Sequence, residues 1–205
     1  LESIDIQMTY GQLDTEEIRR FRETLTREEL ENWYQELTDS YHKWISYQLA
    51  WRKQRNESMK NLEFPFSYRK GQKEMVAGIY HAIAEEEQIF IQAPTGIGKT
   101  MSAIFPAVRS MENGKGETLF YLTARTITRT VAEDAFAILR KNGLHFKSIT
   151  ITAKEKLCLC EEMECNPVNC PYAKGHYDRV NDAVFSLLQK EDMITREVIL
   201  EQAKE

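Results

Sequence analysis

Gly96-Ile97-Gly98-Lys99-Thr100 sets two glycines directly before a lysine and a threonine, a set of residue types that could hold a polyphosphate. Glycines let backbone N–H groups approach an anion closely, a lysine ammonium reaches the outer phosphates, and a threonine hydroxyl can hold magnesium. The general pattern is G-x-x-x-x-G-K-[ST], and here Ala93 stands where the first glycine would be. The whole loop Ala93-Pro94-Thr95-Gly96-Ile97-Gly98-Lys99-Thr100 therefore reads as a nucleotide-binding stretch, with Lys99 and Thr100 as the groups acting on the phosphates.

The second chemical cluster is the four cysteines, Cys158, Cys160, Cys165 and Cys170, in a C-x-C-x4-C-x4-C run. Such crowding, in a chain where no stretch reads as a secretory signal, points to a metal or cluster site rather than a disulfide scaffold. Zinc sites usually use C-x2-4-C pairs, which the single-residue gap between Cys158 and Cys160 fits poorly, whereas iron–sulfur clusters accept more varied thiolate spacings. Free buried thiols are the third reading. The four histidines show no metal spacing such as H-E-x-x-H, and no Ser/His/Asp constellation can be assembled.

These residues need elements to position them. Ile89, Phe90 and Ile91 read as a buried strand feeding the loop, and Met101 to Met111 as the apolar helix after it, kinked by Pro106, so that phosphates would sit at the helix's positive N-terminus. Thr118 to Thr123 reads as a second buried strand, Thr128 to Lys141 as its helix and His145 to Thr152 as a third strand. That alternation is the rhythm of an α/β fold with a parallel sheet, whose ligands bind at the carboxyl ends of the strands. A helix is expected from Gln72 to about Glu87, and amphipathic helices over His176 to Lys190 and Thr195 to Lys204.

Upstream, Ile4 to Tyr10 alternates as a half-buried strand ended by Gly11, Asp14-Thr-Glu-Glu17 reads as a capping box opening a short helix to Thr24, and Thr26-Arg-Glu-Glu29 opens a long helix to about Lys60. The aromatic stripe of that helix, Tyr34, Tyr41, Trp44 and Trp51 among it, reads as a packing face before it reads as a nucleic-acid platform.

The chain has 205 residues, 42% hydrophobic and 29% charged, with a net charge of −5. This describes a globular protein and argues against an obligately basic nucleic-acid coat, although residues 125–156 are locally basic. No apolar run approaches the ~18 residues of a membrane span. The chain opens on Leu1 and is expected to be a piece of a longer cytoplasmic protein.

Taken together, Tyr68-Arg69-Lys-Gly-Gln72, Ala93 to Thr100, Tyr121-Leu-Thr-Ala-Arg-Thr126, and Lys156-Leu-Cys158 with the cysteines to Cys170 resemble the XPD/DinG-like superfamily 2 iron–sulfur DNA helicases, most of all the bacterial branch that follows a nuclease-like region. The resemblance implies a partial RecA-like parallel sheet with flanking helices, preceded by a helical region and followed by a Cys-rich iron–sulfur insertion. Its segments would be 1–62, 63–153 and 154–205. It assigns Arg69 and Gln72 to base sensing with Tyr68 stacking, and Gly96, Gly98, Lys99 and Thr100 to phosphate and magnesium. Alanine commonly opens the family's loop. Thr123, Arg125 and Thr126 would grip the single-stranded DNA backbone, and Cys158, Cys160, Cys165 and Cys170 would hold a 4Fe–4S cluster, with zinc as the alternative. The compact cysteine run departs from the family's wider spacing, chiefly at Cys160.

The implied activity is ATP-dependent 5′ to 3′ translocation on single-stranded DNA or DNA junctions, in a DNA-repair setting, with the rest of the helicase chain as partner and no membrane. No Asp-Glu-Ala-His-like motif follows the third strand, so these residues alone are expected to show little ATPase or unwinding. The alternative is a non-enzymatic, metal-stabilised module that keeps a motor-like fold for DNA or protein contact; a P-loop kinase lacks any recognisable acceptor site.

Overall fold

The computed structural model describes residues 2–124 and 126–204, apart from the side chains of 126–128. The chain divides into two units, Leu1–Ala50 and Trp51–Glu205.

The first unit is a hairpin and most of a long helix. Strands β1 (Ser3–Gly11) and β2 (Ile18–Thr26) pair antiparallel, from Ser3 opposite Thr26 to Gly11 opposite Ile18. The short helix expected after Asp14 does not form. The apparent capping box lies in the turn, where Thr15 Oγ1 accepts from the Glu17 amide at 3.4 Å and Glu16 takes φ 55°. Ile18, Phe21 and Leu25 fit a helical period as well as a strand, and a nine-residue partner strand settles the choice by satisfying backbone groups that a short helix would leave open. Ile4, Ile6, Met8 and Tyr10 share one face with Phe21, whose ring meets Tyr10 edge-on at 5.8 Å.

The second box does open a helix, α1 (Arg27–Lys60). Glu29 accepts from the backbone N–H and the hydroxyl of Thr26, each at 2.8 Å, and Thr26 Oγ1 accepts from the Glu29 amide at 3.3 Å. The Thr26 backbone N–H first, and then its hydroxyl, hold the Glu29 carboxyl below its ordinary 4.5. A lowered folded value means that the ionised box contributes stability above 4.5 and loses it as pH falls through that lowered value. A carboxyl-detected NMR titration should therefore place the Glu29 midpoint below 4.5, with fraying of the first turn of α1 in step; a midpoint at or above 4.5 would contradict the box.

The second unit takes the last turns of α1, then α2 (Gln72–Ala84), α3 (Lys99–Glu112), α4 (Thr126–Lys141), β3 (Ser148–Ile149), α5 (His176–Lys190), β4 (Met193–Ile194) and α6 (Arg196–Gln202). Its core joins Met59 of α1, Val108 of α3 and Leu139 of α4, all fully buried. Arg109 donates to the carbonyl oxygens of Met59 and Lys60, placing a cation on the C-terminal carbonyls of α1. Pro106, expected to kink α3, sits fully buried inside it. Helix α2 stops at Ala84 rather than near Glu87, because Glu86 turns left-handed at φ 62° and the Glu87 amide closes back on the Ala82 carbonyl at 2.8 Å. Three consecutive glutamates at the negative end of a helix also disfavour its extension.

The expected parallel sheet is mostly absent among the described residues. Residues 89–91 and 118–123 carry no ladder, and Phe90 and Leu122 are 94% and 87% exposed. The third expected strand is reduced to Ser148–Ile149, which pairs parallel with Met193–Ile194, a strand the sequence pattern did not announce. An apolar run marks a segment suited to a buried strand, but a ladder forms only where neighbours supply the opposing amides and carbonyls. The result is a mixed α/β unit of helices and a small sheet. Among the described residues no helix is long and apolar enough to cross a membrane.

Candidate functional site

The loop before α3 is shaped by two left-handed glycines, Gly96 at φ 85° and Gly98 at φ 84°. Gly98 is the residue from which α3 starts, so the first amides of that helix face the loop without intrahelical acceptors and give it a positive end. No acidic residue stands in the first turn to neutralise it.

The loop's carbonyls are tied away. Lys99 Nζ donates to the Ala93 and Pro94 carbonyls, each at 3.0 Å, so its ammonium is curled over the loop. The Arg69 guanidinium donates to the Gly96 carbonyl, and Ser102 Oγ donates to the Gly98 carbonyl at 2.9 Å. Across a planar trans peptide the N–H lies opposite its C=O, so holding the Pro94, Gly96 and Gly98 carbonyls turns the Thr95, Ile97 and Lys99 amides the other way, toward where an anion could sit, while Pro94 itself has no N–H to offer. Thr100 Oγ1 lies 3.2 Å from the Tyr121 hydroxyl, which connects the expected magnesium ligand to the segment leading into residues 123–126.

Beside the loop is a cavity of about 600 Å³. Arg69, Thr95, Gly96, Gly98, Lys99 and Thr100 form one wall, and Val131, Asp134, Ala135 and Ile138 of α4 form much of the other. A polyphosphate fits the charge of the first wall, and the mixed donor set of Lys99 and Thr100 suits a magnesium-bound anion. The α4 wall was missed by motif reading; its only trace in the sequence is the three- and four-residue spacing of Val131, Asp134, Ala135 and Ile138. Ser102 carried no motif signal at all, and Tyr121 entered only as the first residue of the stretch to Thr126, with no role given to its hydroxyl.

Several expected site residues are placed differently. Tyr68 stacks on Phe64 at 4.4 Å, and Phe64 meets Phe105 edge-on at 5.3 Å, so the Tyr68 ring belongs to an aromatic ladder; partial burial pushes its hydroxyl above the usual tyrosine value. Gln72 is 4% exposed and turned into the protein. Ile97 lies over Gly71, where a Cβ would meet its Cδ1 at 3.7 Å. Thr123 lies in the irregular segment before α4 and Thr126 opens that helix, while Arg125 and the side chain of Thr126 lie outside the described residues.

The cysteines are only partly gathered. Cys160 Sγ lies 4.0 Å from Cys170 Sγ. Cys158 also interacts with Cys160, whereas Cys165 pairs with Lys154. The two central thiols diverge: the Ala173 backbone N–H, then that of Tyr172, pulls Cys170 below the usual thiol value, and partial burial pushes Cys160 above it. Among the described residues no three His, Cys, Asp or Glu side chains form a group that could hold a metal ion, so as placed the four sulfurs do not fit the shell of either a 4Fe–4S cluster or a zinc ion.

Comparison with known proteins gives one family. A family model described as DEAD/DEAH box helicase matches residues 69–195. No curated protein and no solved structure matches the chain.

Proposed function

The chain belongs to the DEAD/DEAH box helicase family, and on that premise we propose that it is the nucleotide-binding segment of an ATP-dependent DNA helicase, built on part of a RecA-like fold. The observation that carries this reading is the loop from Thr95 to Thr100, with its left-handed glycines, its tied-back carbonyls and its cavity at the N-terminus of α3. ATP would lay its phosphates along the amides of Gly98 to Met101. Lys99 would leave the Ala93 and Pro94 carbonyls to neutralise the outer phosphates, and Thr100 would offer its hydroxyl to magnesium. Thr123, Arg125 and Thr126 would hold the phosphates of single-stranded DNA, a contact without sequence preference.

We further propose the division into 1–62 as a strand plus helical N-terminal region, 63–153 as the first part of a RecA-like ATP-binding domain and 154–205 as the cysteine-bearing region with the start of the arch helices. Movement 5′ to 3′, DNA junctions as substrates, a DNA-repair setting, a cytoplasmic location and a nuclease-like region upstream rest on the XPD/DinG-like resemblance alone. The iron–sulfur cluster, or zinc in its place, rests on that resemblance and the cysteine run.

The 205 residues contain no Asp-Glu-x-His motif to position magnesium and polarise water. The chain is therefore expected to bind magnesium–ATP without turning it over. Calorimetry should show saturable ATP binding, and phosphate release should stay at background with or without single-stranded DNA. ATP turnover that Lys99→Ala abolishes would overturn the separation of binding from hydrolysis. An absence of ATP binding would overturn the site.

A further inference from the structure

Helix α1 keeps a strict seven-residue repeat. From Leu30 the seam advances by alternate steps of four and three through Tyr34, Leu37, Tyr41, Trp44 and Gln48 to Trp51, three full heptads. A helix that only packs on a globular core drifts with its 3.6-residue turn, whereas a sustained 3.5-residue repeat is the seam along which two helices wind around each other. Much of this seam is open to solvent: Tyr34 is 64%, Leu37 53% and Tyr41 66% exposed. Contiguous aromatic surface of this kind marks a contact with another molecule.

The charges of the helix identify the partner and its direction. Five carboxylates lie from Glu28 to Asp39 with no cation among them, and Lys43, Arg52, Lys53 and Arg55 follow with no acid before Glu57. Two copies of α1 laid parallel would set acid on acid and base on base, which is destabilising; laid antiparallel, each acidic half meets a basic half. The repeat then sets the register. A layer that seats Tyr41 against Trp44 of the second copy also seats Leu37 against its Gln48 and Tyr34 against its Trp51, and a two-fold axis repeats all three layers. In that register Glu31 of one copy and Arg52 of the other border the seam on the same side. Their present partners, Arg27 at 2.8 Å and Glu117 at 3.1 Å, form exposed pairs that cost little to exchange.

We propose that α1 is a self-association face, along which two copies of this chain join as an antiparallel helix pair from Leu30 to Trp51. The test is sedimentation equilibrium of the whole chain from micromolar to submillimolar concentration. The mass should rise from monomer to dimer, and moderate sodium chloride should weaken the dimer, because the facing halves attract. Tyr41→Ser should raise the dissociation constant about tenfold or more. Leu37→Ser, on the same seam, decides the matter if Tyr41→Ser loses helix by circular dichroism. Glu31→Lys should also weaken the dimer, and Glu31→Lys combined with Arg52→Glu should bring it back to within about threefold of wild type, a rescue that only the antiparallel arrangement requires. A chain that stays monomeric throughout would overturn the proposal, as would a dimer that salt strengthens or that Tyr41→Ser leaves unchanged. Single-stranded DNA binding that falls in Tyr41→Ser while the mass stays constant would overturn it too, and make the stripe a nucleic-acid platform.

Discussion

Replacing Lys99 with alanine is expected to weaken magnesium–ATP binding by about one to two orders of magnitude, the effect of losing a charge-assisted contact to phosphate. Lys99 Nζ now donates to the Ala93 and Pro94 carbonyls at 3.0 Å each. Those carbonyls are neutral acceptors, and a triphosphate carries several negative charges, so at the proposed site the ammonium would exchange two modest bonds for stronger ones. Lys99→Ala removes the incoming interaction and also the tie that closes the loop over Ala93. Lys99→Met loses both sets of bonds but keeps the aliphatic stem, so its difference from Lys99→Ala reports only the packing of that stem. Lys99→Arg should restore the charge but not the fit, because a planar fork cannot take the place of a compact ammonium in a narrow loop. Isothermal titration with ATP and with tripolyphosphate measures all three. A Lys99→Ala variant that binds within twofold of wild type would remove Lys99 from the site.

The second large effect is on stability. Arg140 leaves α4 over the face of Phe136, its guanidinium 5.8 Å from the ring centre. It donates from Nε to the Phe146 carbonyl at 3.0 Å, and from one terminal nitrogen to Ser148 Oγ at 2.6 Å and the Asp192 carbonyl at 2.7 Å. Burial lowers its proton affinity, and the nearby Asp192 charge works the other way. One side chain thus pins both strands of the small parallel pair to the helix. Arg140→Ala would leave three acceptors short of a donor and is expected to cost about 2–3 kcal/mol in urea unfolding. Hydrogen exchange offers a sharper readout. The Ser148 amide bonds to the Asp192 carbonyl and the Thr150 amide to the Ile194 carbonyl, each at 2.9 Å, and both should lose protection in Arg140→Ala. Arg140→Lys should recover only part of it, since one ammonium cannot span all three acceptors. A change under 0.5 kcal/mol with protection intact would refute this role for Arg140.

Local signals carried far in this chain. Gly96, Gly98, Lys99 and Thr100 announced a glycine-shaped loop running into a helix because its residues are consecutive, and the structure supplies the positive φ values those glycines allow. The Thr26/Glu29 box and the periodicity of the segments after Gln72, Gly98 and Gly175 announced helices for the same reason: helix bonds close within a few residues. The hairpin exposed the limit of that logic. Asp14 to Glu17 carried a capping signature, yet the strand from Ser3 to Gly11 claimed the following segment by pairing with it.

The sequence by itself determined the glycine-shaped loop before α3, the presence of the principal helices after Thr26, though not where α2 ends, and the crowding of the four cysteines, because each is a property of neighbouring residues. Tertiary structure decided what depends on partners distant in sequence. It left residues 89–91 and 118–123 without ladders and brought α4 to the cavity. It turned Gln72 inward to Ser102 and set Cys165 beside Lys154 while Cys160 met Cys170. The reason is the same in each case: a hydrogen-bond ladder, a buried amide or a ligand shell is satisfied only by groups the chain brings from elsewhere, and spacing along the sequence does not say which of them arrive.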